Sequence, residues 1–156
     1  MFGRENLLQA LRILAACALS YGGSLLIGLE EGYWALITAV VVTQPALGDT
    51  LALGRDRVIG TLIGALVGLG ILEAAAFAPS RVLFWIGLAP LALLTAIWPN
   101  LRLCCITLAI VVLLPPSGAP FVRPLQRIVE ILLGTLASVA VTAALPKRPA
   151  PQAGAE

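Results

Sequence analysis

Arg57 and Arg127 are the residues of this chain best suited to chemistry. They stand 70 residues apart, and each is followed five, seven and nine positions later by Leu, Gly and Leu: Leu62, Gly64 and Leu66 in one case, Leu132, Gly134 and Leu136 in the other. Each opens an apolar helical stretch, where free backbone N–H groups favour a nearby anion. A guanidinium stays charged in any surroundings and grips a carboxylate through two parallel donors. The alternative for both is a plain interfacial anchor. Trp34 offers a face on which an aromatic ring can stack, and Thr43 and Gln44 offer hydrogen bonds beside Pro45. Asp49, Glu73 and Glu130 are the titratable candidates for coupling to a proton gradient, with Glu130 preferred. Glu130 also lies three residues after Arg127, on the same helix face, where the two can pair. Glu30 and Glu31 read as solvated loop charges.

Other chemistries find no support in these residue types. The chain has no histidine, no nucleophile with a base at useful spacing, and no phosphate-cradling glycine loop on a strand, so an enzyme is not expected and no cofactor or metal is implied. Cys17, Cys104 and Cys105 are odd in number and lie in apolar stretches, where thiols act as small hydrophobes. A net charge of +2 without a basic run excludes a nucleic-acid partner.

The elements that must position these residues belong to a membrane. Hydrophobic residues make up 60% of the chain and charged residues 12%, with a mean hydropathy of +1.00, too little polarity to cover a soluble fold of 156 residues. The partner is therefore the lipid bilayer. Apolar segments near 7–29, 33–48, 58–78, 82–98, 101–115 and 128–145 predict an all-α polytopic protein with six transmembrane helices. The membrane module would cover residues 1–146, in halves of about 7–78 and 82–146, followed by a disordered cytoplasmic tail at 147–156.

The 70-residue repeat extends beyond the arginines, since Val41, Val42, Pro45 and Gly48 recur as Val111, Val112, Pro115 and Gly118. A tandem unit of three spans places its second copy upside down, which predicts two three-helix repeats of inverted topology. On that reading Arg57 lies near one membrane face and Arg127 near the other. The second span of each half holds only about a dozen apolar residues before its proline, roughly 18 Å of helix against a hydrocarbon core near 30 Å. Pro45 and Pro115 are the expected helix breaks; a shallow helix kinking onward to about Leu53 is the alternative. Gly60, Gly64 and Gly68, and likewise Gly134, Ser138 and Thr142, are spaced by four and form small-residue stripes suited to close helix packing.

Basic residues set the orientation. With the N terminus inside, the cytoplasmic face receives Arg4, Arg12, Arg55, Arg57, Arg102, Lys147 and Arg148, and the outer face only Arg81, Arg123 and Arg127, so both termini are expected in the cytoplasm. Tyr33, Trp34, Trp85 and Trp98 fall near helix ends, as an interfacial aromatic belt does. A chain this short buries little of its own apolar surface, which predicts a homo-oligomer.

The stretch EGYWALITAVVVTQPALGDTLALGRDRVIGTLIGALVG, from Glu31, resembles the signature of the FUSC family of fusaric acid resistance and aromatic acid exporter proteins, itself similar to aluminium-activated malate transporters. FVRPLQRIVEILLGTLASVAVTAALP resembles the closing helix of the same module. The resemblance, over about residues 7–147, implies a bacterial inner-membrane location and export of aromatic or other organic carboxylic acids. The substrate would be an organic anion, drawn by Arg57 and Arg127. A passive anion channel and a non-transporting assembly subunit remain as alternatives.

Overall fold

The computed structural model describes residues 3–75, 77, 79–114 and 121–146. Pro115, Gly118 and the tail from 147 onward lie outside them. Within the described residues the fold is all-α: α1 (Arg4–Leu26), α2 (Tyr33–Val42), α3 (Leu47–Ala74), α4 (Ser80–Ile97), a 3-10 turn (Pro99–Leu101), α5 (Leu103–Leu113) and α6 (Val122–Ala144).

Local chemistry explains the boundaries. α1 stops at Gly28, whose φ of 71° only glycine adopts easily, while Leu29 N–H donates to the Ser24 carbonyl at 2.9 Å and closes the last turn. α2 stops because Gln44 precedes Pro45 and is driven out of the helical region; Thr43 and Ala46 are extended. Thr50 then bridges the break, its hydroxyl accepting the Gln44 N–H at 3.0 Å and donating to the Ala46 carbonyl at 3.2 Å.

Two boundaries differ from expectation. The third helix begins at Leu47, not near residue 58, and the sixth at Val122, not near 128. Hydropathy marks the part of a helix that meets hydrocarbon, whereas the backbone stays helical through Asp49, Arg55, Asp56 and Arg57 at the start of α3. Pro124 fits the first turn of α6, where a backbone N–H would have no acceptor. Among the described residues, three helices are long and apolar enough to cross a membrane: α3, α4 and Pro124–Ala144 of α6. α2, at 10 residues, and α5, at 11, fall short of a full crossing.

The distribution of side chains inverts that of a soluble bundle. Leu14, Leu25, Leu66, Trp85, Leu93 and Leu136 face outward, whereas Ala16, Ser20, Ala35, Thr38, Thr50, Ser138 and Thr142 are buried. Hydrocarbon gives leucine no reason to hide, so small and hydroxylated residues take the interior, where helices approach closely and hydroxyls find partners.

Helices pair across the halves. α2 runs parallel to α6: Gly134 lies against Ala35 and Thr38, and Ser138 against Ala39 and Thr43. α5 runs parallel to α3 in the same manner, with Gly64 against Cys104 and Thr107, and Gly68 against Leu108 and Val111. α1 packs on α2 and α6, α4 packs on α3 and α5, and α3 crosses α6. The second helix of each half thus leans mainly on the third helix of the other half.

Candidate functional site

α2 carries the site. A seam of hydroxyls joins it to α6: Thr43 donates to the Ala39 carbonyl at 2.7 Å and its oxygen lies 3.0 Å from the Ser138 hydroxyl, which donates to the Gly134 carbonyl at 2.8 Å. Gln9 of α1 donates to the Thr43 carbonyl at 3.0 Å. The close α2–α6 approach requires glycine at 134, since a Cβ there would overlap the Ala35 carbonyl and lie 2.7 Å from Thr38 Cβ.

Charge gathers on the face of α2 marked by Trp34 and Thr38, four residues apart and so one helix turn, about 6 Å, along the axis. Arg127 reaches this face from α6. Its guanidinium lies 4.5 Å from the centroid of the Trp34 ring, a cation–π contact, and pairs with Glu130 at 2.8 Å and with Glu31. Glu31 in turn accepts from Trp34 Nε1 and Tyr33 Oη, each at 3.2 Å. Arg127 and Glu130 are buried to 2% and 1% exposure, so this is a desolvated pair held by direct hydrogen bonding.

Arg57 approaches from α3, one turn along. Its Nη2 donates to the Thr38 hydroxyl at 3.4 Å, a long bond, and its Nε has no hydrogen-bond partner. Its side chain is buried, yet among the described residues it makes no ion pair. The neighbouring Asp56, itself buried, is taken by the exposed Arg55 at 3.2 Å. A desolvated cation served by one weak neutral acceptor is costly to keep, and an anion would relieve it.

The two arginines reach one short stretch of α2, a helix turn apart, because α3 and α6 run antiparallel and cross beside it. Trp34 presents a ring face to Arg127. Thr43 is buried with its hydroxyl engaged in the seam, and Gln44 is half-buried, its side chain donating to the Val41 carbonyl at 3.3 Å. Of the coupling candidates, Glu130 belongs to the cluster, whereas Asp49 and Glu73 are exposed at the two ends of α3. Gly60, Gly64 and Gly68 line the α3–α5 contact, away from the site.

Glu31 is not the solvated loop charge that its sequence context suggests: it is bonded to Arg127, Tyr33 and Trp34. Its position beside Tyr33 and Trp34 is visible in the sequence, but its bond to Arg127 spans most of the chain and has no local signature. Gly32 seats it, since a Cβ there would overlap the Ser24 side chain. Arg12 belongs elsewhere: buried in α1, it donates to the Leu145 carbonyl at 2.8 Å and to Gln9 at 3.2 Å, so its charge faces the C-terminal end of α6.

Comparison with known proteins gives this geometry a context. Residues 6–97 match the fusaric acid resistance protein family. The inner membrane protein YccS of Escherichia coli K12 is 28% identical over 130 residues, which cover 81% of this chain and 18% of YccS. The uncharacterized transporter YdhK of Salmonella typhimurium LT2 is 34% identical over 82 residues, 50% of the chain and 12% of that protein. YdhK of Escherichia coli K12 is 35% identical over 60 residues, 38% of the chain and 9% of that protein. The chain thus spans less than a fifth of the length of these relatives.

Proposed function

This chain belongs to the fusaric acid resistance protein family, and from that premise we propose that it moves organic carboxylic acids, aromatic ones among them, outward across a bacterial inner membrane. The observation that carries the reading is Arg57, a buried cation with one long bond to Thr38 and no ion pair among the described residues. Arg127 and Trp34, one turn away, extend the same face. A carboxylate meeting Arg57 gains charge-assisted hydrogen bonds that no described side chain supplies.

The test is uptake of labelled benzoate into proteoliposomes, with and without a pH gradient. Removing a hydrogen bond to a charged group costs on the order of 1.5–3 kcal/mol, so Arg57→Ala is expected to lower flux by roughly tenfold or more. Arg55→Ala, at a side chain 71% exposed, is expected to leave it unchanged. Flux independent of the gradient would make the protein a passive channel. Absence of flux in the native chain, or full flux in Arg57→Ala, would overturn the reading.

We further propose inverted topology for the two halves, with both termini cytoplasmic. The exchange of partners supports it: Gly134 on Ala35 and Thr38 mirrors Gly64 on Cys104 and Thr107, as Ser138 on Ala39 and Thr43 mirrors Gly68 on Leu108 and Val111. On a background without Cys17, Cys104 and Cys105, Phe77→Cys beyond α3 is expected to react with an impermeant maleimide from outside. Ala144→Cys at the end of α6 is expected to react only from inside. Reaction of both from one side would rule the inversion out.

A further inference from the structure

We propose that Glu31 is a built-in occupant of a carboxylate site, and that an aromatic monocarboxylate takes its place on Arg127, Trp34 and Tyr33. The proposal deepens the carboxylate-transport reading and rests on it. Three donors converge on one oxygen of Glu31: the Arg127 guanidinium, Trp34 Nε1 and Tyr33 Oη. Such a set recognises a carboxylate wherever that carboxylate comes from. Two of the three belong to aromatic rings whose centroids lie 5.5 Å apart, so the same site offers ring surface to the body of an aromatic acid.

Glu31 is the exchangeable one of Arg127's two carboxylate partners. Glu130 sits one turn along the same helix and is 1% exposed, so it has no water to move into. Glu31 belongs to the short connection between α1 and α2, and its side chain is 28% exposed. It can swing into water, where its charge is solvated.

Charge makes the event an exchange. With both glutamates in place the group around Arg127 carries one net negative charge, which repels an entering anion. Replacing Glu31 by an external carboxylate keeps that charge constant and restores every hydrogen bond. Arg127 Nε, unpartnered at 2% exposure, is a further donor that neither glutamate uses. From there Arg57 and Thr38 lie one turn along α2, the next station for the anion. Glu31 therefore fills the carboxylate site while no substrate is present.

The experiment measures benzoate binding to the full chain in detergent, through the fluorescence of Trp34 on a Trp85→Phe, Trp98→Phe background. Glu31→Gln keeps the size of the side chain but removes its claim on Arg127, and is expected to tighten benzoate binding by on the order of tenfold. Glu30→Gln, which removes an adjacent exposed charge, is expected to change it little, and Tyr33→Phe to weaken it. Benzoate binding in the native chain that Glu31→Gln leaves unchanged or weakens would overturn the occupant role and leave the carboxylate site standing. Equal tightening by Glu30→Gln would also overturn it, by reducing the effect to bulk charge. No benzoate response in either the native chain or Glu31→Gln would remove the carboxylate site, and the proposal with it.

Discussion

Arg127→Ala is expected to be the most destabilising single substitution in this protein, and Glu130 is the reason. Glu130 is 1% exposed and its hydrogen-bond partner is Arg127 at 2.8 Å. Without the guanidinium a carboxylate is left desolvated and uncompensated, a change that costs roughly 3–5 kcal/mol in buried pairs. Glu31 loses the same partner but stands partly in water, so its share is small. The double variant Arg127→Ala, Glu130→Ala removes both charges and is expected to recover most of the loss, because an absent pair costs less than half of one. Arg57→Ala is expected to behave oppositely: it strands no carboxylate and removes a poorly served buried cation, so the fold holds while flux falls. The measurement is the temperature at which each purified variant loses its monodisperse peak in detergent. Arg127→Ala melting with the native chain, or the double variant melting no higher than the single, would show that the pair does not hold α6 in place.

That contrast between two arginines was only partly legible in the sequence. Their recurrence at a 70-residue offset marked both, and the spacing of Arg127 and Glu130 announced their pairing, because a helix brings positions three apart together. The all-α class followed from hydropathy, and the break at Pro45 from the geometry of the residue before proline. What escaped was non-local. Whether an arginine buried among apolar helices has a carboxylate partner depends on which loop reaches it, and Glu31 reaches Arg127 from nearly 100 positions away. The start of α3 was missed for a different reason: a polar first turn ends a hydrophobic span without ending a helix. Arg57's poor service could not be read either, since Asp56 beside it looks like a partner in sequence but projects to Arg55 around the helix.

Replacing glycine by alanine is expected to give opposite signs at three positions that look alike in sequence. Alanine is the better helix former by about 1 kcal/mol, and at Gly70, where an added Cβ meets nothing within 4 Å, that preference acts alone and raises stability. At Gly64 the Cβ would overlap the Cys104 carbonyl and lie 2.8 Å from Thr107 Cβ, and at Gly134 it would overlap the Ala35 carbonyl. A carbonyl within a helix cannot turn aside as a side chain can, so the two helices must separate. Overpacking of this kind costs roughly 1–3 kcal/mol and outweighs the helix preference. The two clashes differ in reach. Gly64→Ala parts α3 from α5, on the side away from the site, whereas Gly134→Ala parts α6 from α2 and so draws Arg127 away from Trp34 and Thr38. Both variants are expected to melt below the native chain and Gly70→Ala above it, but only Gly134→Ala is expected to lose the benzoate response of Trp34 at temperatures where the protein is still folded. Equal loss of that response in Gly64→Ala would mean that the two halves deform together and that the site is not held by the α2–α6 contact alone. A Gly134→Ala variant as stable as Gly70→Ala would mean that the helices do not meet as closely as the Ala35 carbonyl requires.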